Sequence, residues 1–207
     1  SWEKRNLGID VYEVEVERHD QGDRILEISK LTDAQYISVK VPVGMISVME
    51  ELTSLGFNFI ETLQKMSTKQ MPPQSKIQAR LERSIITREA NRQDHKLIEN
   101  YIEQGMFETD RFSLDSNFTK NQSTNRYKGW IKDVLSNKGS LRCITFKSEV
   151  VGFYLVQKKS NLLYSAELAG TFSDVAPLGL GSLINHLAYR YCFDNGAKEV
   201  NTSFSLN

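Results

Sequence analysis

Apolar residues recur along this chain with two periods, and the breaks between them outline its elements. From Ile9 to Val16, Ile9, Val11, Val14 and Val16 alternate raggedly with acidic positions, the pattern of a strand with one solvated face. Helical character follows at Asp23 to Leu31. Gln35 to Val41 alternates again through Tyr36, Ile37, Val39 and Val41, until Pro42 and Gly44 break it. Met45, Val48, Met49 and Leu52 then recur at intervals of three and four, so one face of a helix is apolar, and Gly56 stands where that helix would stop. Phe57 to Leu63 predicts a further strand. Strand, helix, strand, helix, strand favours an α/β layer structure.

Lys65 to Ser75 (KMSTKQMPPQS) is dense in Pro, Ser, Thr and Gln with little apolar periodicity, which predicts a linker between a unit at 1–64 and a second at 76–207. Lys76 to Thr87 alternates in part as a strand, and Glu89 to Gly105 carries Leu97, Ile98, Tyr101 and Ile102 at helical spacing. Phe107 to Phe118 has neither period, which predicts a surface loop with anchored aromatics. A helix with Tyr127, Trp130, Ile131, Val134 and Leu135 on one face comes next. Three strands then arrive in close succession, Leu141 to Lys147, Val150 to Gln157 and Leu162 to Thr171, joined by segments short enough for antiparallel hairpins.

Composition narrows the function classes. The 207 residues include 26 basic and 26 acidic side chains, so no net field argues for nucleic acid as a partner, and recognition must be sought in a site. Two cysteines, Cys143 and Cys192, are too few for a disulfide framework or a four-ligand zinc site and fit a reducing, cytoplasmic setting. The apolar runs are too short to span a membrane, and Ser1 to Asn6 does not read as a signal sequence. No histidine has a second histidine or a cysteine at metal spacing, so no metal site is expected. Ser182 lies in LGSLI rather than a GxSxG elbow, which disfavours a serine hydrolase.

The segment TFSDVAPLGLGSLINHLAYRYCFDNGAKEVNTSFSLN carries the chemistry. Gly179 and Gly181 open a helix whose apolar face is Leu183, Ile184, Leu187 and Tyr191, and Gly196 ends it before a strand at Glu199 to Ser205. The first turn of a helix leaves N–H groups unpaired and carries partial positive charge, and glycines let a phosphate approach the backbone. Glycines in that place also permit a tight turn or close helix packing. A GxGxxG loop would need glycine at Ile184, and a GxxxxGK[ST] loop would need lysine where Gly181 stands.

A glycine loop after antiparallel hairpin strands resembles the GNAT acyltransferase superfamily. VVGFYLVQ looks like its fourth strand, YSAELAGTF like its fifth, APLGLG like its pyrophosphate loop, and KEVNTSFSLN like its sixth strand. Ala176 stands where that loop usually has Arg or Gln. Arg111, Phe112, Asp115, Phe118, Arg126, Tyr127, Trp130 and Ile131, with a truncated GNAT-like front half, resemble the dTDP-fucosamine N-acetyltransferase family, whose members acetylate an amino group on a nucleotide-linked sugar. The fold this implies is α/β, a GNAT-like mixed and largely antiparallel sheet flanked by helices, with a smaller truncated N-terminal half.

The resemblance implies roles. The backbone of Leu168, Ala169, Gly170 and Thr171 would bond the pantetheine arm of acetyl-CoA, and Leu178, Gly179, Leu180, Gly181 and Ser182 would offer amides to its pyrophosphate. Asn207 would face the same cofactor. Glu167, the one carboxylate in its strand, could take the proton of an ammonium acceptor directly or through one water. Arg111 and Asp115 lie on the acceptor side, where Arg111 suits a sugar-nucleotide phosphate. Strand packing, a solvated glutamate and a surface ion pair are the plainer readings of the same residues. The partners implied are acetyl-CoA and a small amine, and the alternative is a non-catalytic module that binds CoA, an acyl chain or a partner protein.

In the superfamily a closing helix and last strand follow the sixth strand, and that helix usually holds the tyrosine that protonates the CoA thiolate. The second unit stops after its sixth strand, so this closing unit is expected beyond residue 207. An uncovered edge at Glu199 to Ser205 predicts pairing of two copies as a homodimer, or aggregation.

Overall fold

The computed structural model describes residues 2–20, 28, 30 and 34–206. A short helix α1 (Trp2–Leu7) precedes two parallel strands, β1 (Val11–Glu15) and β2 (Tyr36–Lys40), and a helix α2 (Ile46–Ser54). The helix expected at 23–31 falls almost wholly outside the described residues, as does Asn207. Val16, Val48 and Leu52 bury the apolar stripe of α2 against β2, and Gly56, at φ +90°, ends that helix as its position predicts.

The rest of the chain builds one six-stranded sheet. After β3 (Leu63–Thr68) come α3 (Lys76–Glu82), β4 (Ile85–Glu89), α4 (Arg92–Glu103), α5 (Arg111–Leu114) and α6 (Lys120–Ser136). Then follow β5 (Gly139–Phe146), β6 (Glu149–Lys158), β7 (Leu163–Thr171), α7 (Leu180–Asp194) and β8 (Glu199–Ser205). The strand order is β3-β8-β7-β6-β5-β4, and every pair is antiparallel except β7 with β8. This is the mixed, largely antiparallel sheet flanked by helices that the resemblance implies. Val151 to Val156 of β6 is buried without a break because both faces of the sheet are covered. Phe153 and Leu155 pack toward α4 and α6, whereas Tyr154 and Val156 pack toward α7.

Three expectations are corrected. Residues 57–62 are irregular, and the strand predicted there is Leu63–Thr68, so residues 65–68 of the expected linker are sheet. Its side chains are almost all exposed, and a strand exposed on both faces has no alternation to read. Residues 76–82 form a helix rather than a strand, started by a capping box in which the Ser75 side chain accepts from Gln78 N–H and the Gln78 side chain accepts from Ser75 N–H. The edge of β8 is not open. Strand β3 pairs antiparallel with it from Leu63 opposite Ser205 to Thr68 opposite Val200. Pairing of two copies through that edge therefore loses its premise.

No helix among the described residues is long and apolar enough to cross a membrane. No group of three or more His, Cys, Asp or Glu among them is arranged to hold a metal ion.

Candidate active site

Strands β7 and β8 run side by side for only four residues, from Leu163 opposite Glu199 to Ala166 opposite Thr202. The hydroxyl of Thr202 donates to the Ala166 carbonyl at 3.0 Å where the ladder ends. Past Ala166 the strands part, and β7 is paired only to β6. The main chain of residues 167–171 therefore has one side free of a strand partner, the condition for an extended ligand to add there.

A bulge falls at the same place. Leu155 opposes Leu168 and Val156 opposes Ala166, so Glu167 is the extra residue of β7. A bulge re-aims side chains and backbone amides, and here it turns Glu167 into a cavity beside Trp130 and Val134 of α6. The Glu167 side chain is 11% exposed and its carboxylate pairs with Lys159 Nζ at 2.7 Å.

Glu167, Leu168 and Ala169 line a cleft of about 1120 Å³. Its opposite wall comes from the front half, residues 36–44 of β2 and the following turn. Arg111, Arg126, Tyr127 and Trp130 close one end, and Thr202 to Ser205 of β8 line the floor of the gap between the strands. A smaller cavity of about 410 Å³ shares Lys40, Arg111, Arg126, Trp130 and Glu167 with it. Burial and the hydrogen bond to Asp115 raise the Tyr36 phenol above its ordinary value, and burial and nearby Asp110 do the same for Tyr127.

The glycine loop lies at the start of α7, a helix that reaches this cleft through Ile184, Asn185 and Ala188. Gly179 caps the helix at φ +89°, a backbone state that only glycine adopts without strain. Leu180 anchors the loop in the core, and Leu178 is fully exposed. A Cβ on Gly181 would meet nothing within 4 Å, while the Leu180 and Ser182 amides donate within the loop to the carbonyls of Pro177 and Gly179 at 3.1 and 3.2 Å. Ser182 is tied locally, its hydroxyl donating to the Gly179 carbonyl at 2.8 Å and its own carbonyl accepting from Gln78 Nε2 at 2.6 Å.

The two acceptor-side residues separate. Arg111 lines both cavities and donates to Glu13 Oε2 at 3.1 Å and to Ser38 Oγ at 3.0 Å, which joins it to the front half. Although burial raises Glu13, its neighbours Lys40 and Arg111 hold its carboxyl below the ordinary value. Asp115 lines neither cavity: buried, it accepts from the Tyr36 hydroxyl at 2.6 Å and from Asn117 N and Nδ2 at 2.9 and 2.8 Å. Its work is to hold a turn and dock β2. Burial pushes both Cys143 and Cys192 up to about 12, which leaves neither thiol a nucleophile at neutral pH.

Sequence reasoning missed Glu3, Glu13, Arg126 and Lys159 as cavity residues. Arg126 belongs to the quoted resemblance but had no role. Glu3 and Glu13 come from segments far from the sheet in sequence, and only the packing of α1 and β1 against it brings them to the cavity, whereas Lys159 reaches Glu167 within the β6–β7 hairpin.

No protein-family model matches the sequence, and no curated protein matches it. Solved structures do match in three dimensions. A conserved protein of unknown function from Staphylococcus epidermidis is 14% identical with TM-score 0.58, over 95% of this chain and 74% of its own. A GCN5-related N-acetyltransferase from Sphaerobacter thermophilus is 12% identical with TM-score 0.55, over 83% of this chain and 51% of its own. The fold is the GNAT acetyltransferase fold. A GCN5-related N-acetyltransferase from Kribbella flavida also matches, at 12% identity and TM-score 0.45, over 88% of this chain and 63% of its own. The chain thus spans 63% and 51% of the length of these two GNAT proteins.

Proposed function

We propose that this chain is an acetyl-CoA-dependent N-acetyltransferase that acts on the amine of a small molecule, with a nucleotide-linked amino sugar as its acceptor. The observation that carries this reading is the parting of β7 from β8 beside a glycine loop at a helix start, within a GNAT fold. The pantetheine arm would add to the free side of residues 167–171, and the loop amides from Leu178 to Ser182 would meet the pyrophosphate. The acceptor would enter from the cleft facing the front half.

The amine nitrogen attacks the thioester carbonyl carbon, the carbonyl oxygen takes up negative charge, and the carbon–sulfur bond then breaks. Backbone N–H groups near the bulge stabilise that oxygen. Glu167, directly or through one water, takes the proton that the acceptor ammonium must lose before its nitrogen attacks, and the departing thiolate gains one from a phenol or water. Most of the rate enhancement comes from holding the two reactants together. The front half, with β2, α2 and β3, would be the closing unit of a second, truncated copy of the fold.

A second reading, a module that binds CoA without transfer, is favoured by the ion pair that already occupies Glu167. Calorimetry with acetyl-CoA and a thiol-release assay with amino-sugar nucleotides separate the two. Binding with turnover supports the transferase, and Glu167→Gln should then lower kcat by about a hundredfold with little change in the acetyl-CoA KM. Binding without turnover supports the second reading. No binding of acetyl-CoA sinks both.

A further inference from the structure

The charged groups of the smaller cavity are unevenly paired. Arg111 Nη2 faces Glu3 Oε1 at 3.9 Å, and Arg126 Nε faces the other oxygen of the same carboxylate at 3.5 Å. Neither contact is a hydrogen bond. Arg126 Nε and Glu3 Oε2 are both buried, and neither has a hydrogen-bond partner. A carboxylate between two guanidiniums ordinarily closes to short, paired contacts, and burial strengthens that tendency.

Helix placement accounts for the gap. Trp2 Nε1 and Arg5 both bind the carboxylate of Asp133 on α6, which fixes α1 along that helix. Arg126 is fixed as well. Its guanidinium lies 3.9 Å from the centre of the Phe112 ring and 5.1 and 5.6 Å from those of Trp2 and Trp130. Aromatic faces hold a guanidinium in place without discharging it. Both arginines, Glu3 and Glu167 border the same cavity.

We propose that Arg111 and Arg126 together form the binding site for a phosphate group of the acceptor, and that the Glu3 carboxylate is an internal stand-in that the phosphate displaces. The diphosphate of a nucleotide-linked sugar carries two negative charges and more acceptor oxygens in three dimensions than a carboxylate, so it spans two guanidiniums that Glu3 reaches only loosely. This inference rests on the transferase reading of the cleft. It assigns the anion-binding work to a pair of arginines, one of which already has Glu13 as a partner.

The test is calorimetric titration of dTDP into protein saturated with CoA, so that the glycine loop is already filled. Glu3→Gln should tighten dTDP binding by at least about fivefold, because the competing charge is gone while the shape remains. Arg126→Gln should weaken it more than about tenfold, with Arg126→Lys only partly restoring it. CoA affinity should be unchanged in all three. Inorganic pyrophosphate in place of dTDP should show the same ranking if the phosphates are what the arginines hold. Arg126→Gln could weaken binding through misfolding, but misfolding cannot tighten it, so Glu3→Gln decides. An unchanged or weaker affinity in Glu3→Gln, or no dTDP binding to either wild type or Glu3→Gln, overturns the proposal. If CoA itself does not bind, the transferase reading fails separately, and the dTDP titration without CoA still judges the arginine pair.

Discussion

Gly152 and Gly181 are the same residue type put to opposite uses. A Cβ on Gly152 would lie 2.7 Å from the Gly170 carbonyl oxygen and 3.3 Å from Thr171 Cα, backbone atoms of the neighbouring strand that cannot turn aside. A Cβ on Gly181 meets nothing. Gly152→Ala should therefore destabilise the protein by about 1–3 kcal/mol, as overpacking does. Gly181→Val should change the melting of the unliganded protein by less than about 1 kcal/mol, a helix-propensity effect, yet remove the stabilisation that CoA confers. Thermal melts with and without CoA check both, and a Gly181→Val protein still stabilised by CoA would dissociate the loop from phosphate binding. Gly181 was legible because a glycine at a helix start needs no distant partner to be noticed, whereas the constraint on Gly152 comes from Gly170 and Thr171 of another strand. Arg126 and Glu3 were not legible, since what makes them a site is a 3.5 Å approach between residues more than a hundred positions apart.

Elements were legible where a buried face marks them, and a cap without one did not suffice. The hairpins β5, β6 and β7 fall where the buried runs and short turns predict, and α4 begins where Asn91 and Asp94 close a capping box. Helix α3 carried an equally plain signal in Ser75 and Gln78, obscured by the partial alternation of its apolar residues. In α4, Asp94 also accepts from Arg88 of β4, at 2.9 Å to Oδ1, and so ties the helix to the sheet. The bond to Arg88 holds its carboxyl below the ordinary value, against the opposing effect of burial. Its folded pKa is thus lower than its unfolded one. The associated stability is present above the ordinary carboxylate range and is lost as pH falls through the lowered folded value. Asp94→Asn should cost about 1–2 kcal/mol at neutral pH and give a shallower loss of stability on acidification than wild type. Melting temperatures measured from neutral pH down through the carboxylate range check this, and parallel acid limbs for the two proteins would refute it.

At the scale of the whole molecule, the first part of the polar stretch that reads as a linker is one of the segments that bind the two halves. Six residue pairs join β3 to β8, so a segment before residue 76 covers the edge of the sheet built after it. The front half also covers aromatic surface: Tyr36 packs on Phe118 at 4.7 Å between ring centres, and Leu7 is buried with Phe112 and Phe118. A protein shortened to residues 76–207 would expose the β8 ladder and these aromatics together. It would also lose the wall of the cleft opposite Glu167, while keeping the glycine loop and the gap between β7 and β8. We expect it to melt at least about 10 °C below the full chain, since several kcal/mol of packing and pairing go at once. We also expect it to self-associate through the unpaired strand. CoA should still stabilise it, because the loop and the free side of β7 lie outside the deleted segment. Dye-monitored melting and light scattering coupled to size exclusion measure both properties. A monodisperse monomer with the melting temperature of the full chain would show that β3 contributes nothing to the sheet it borders, and the two halves would then have to be treated as independent.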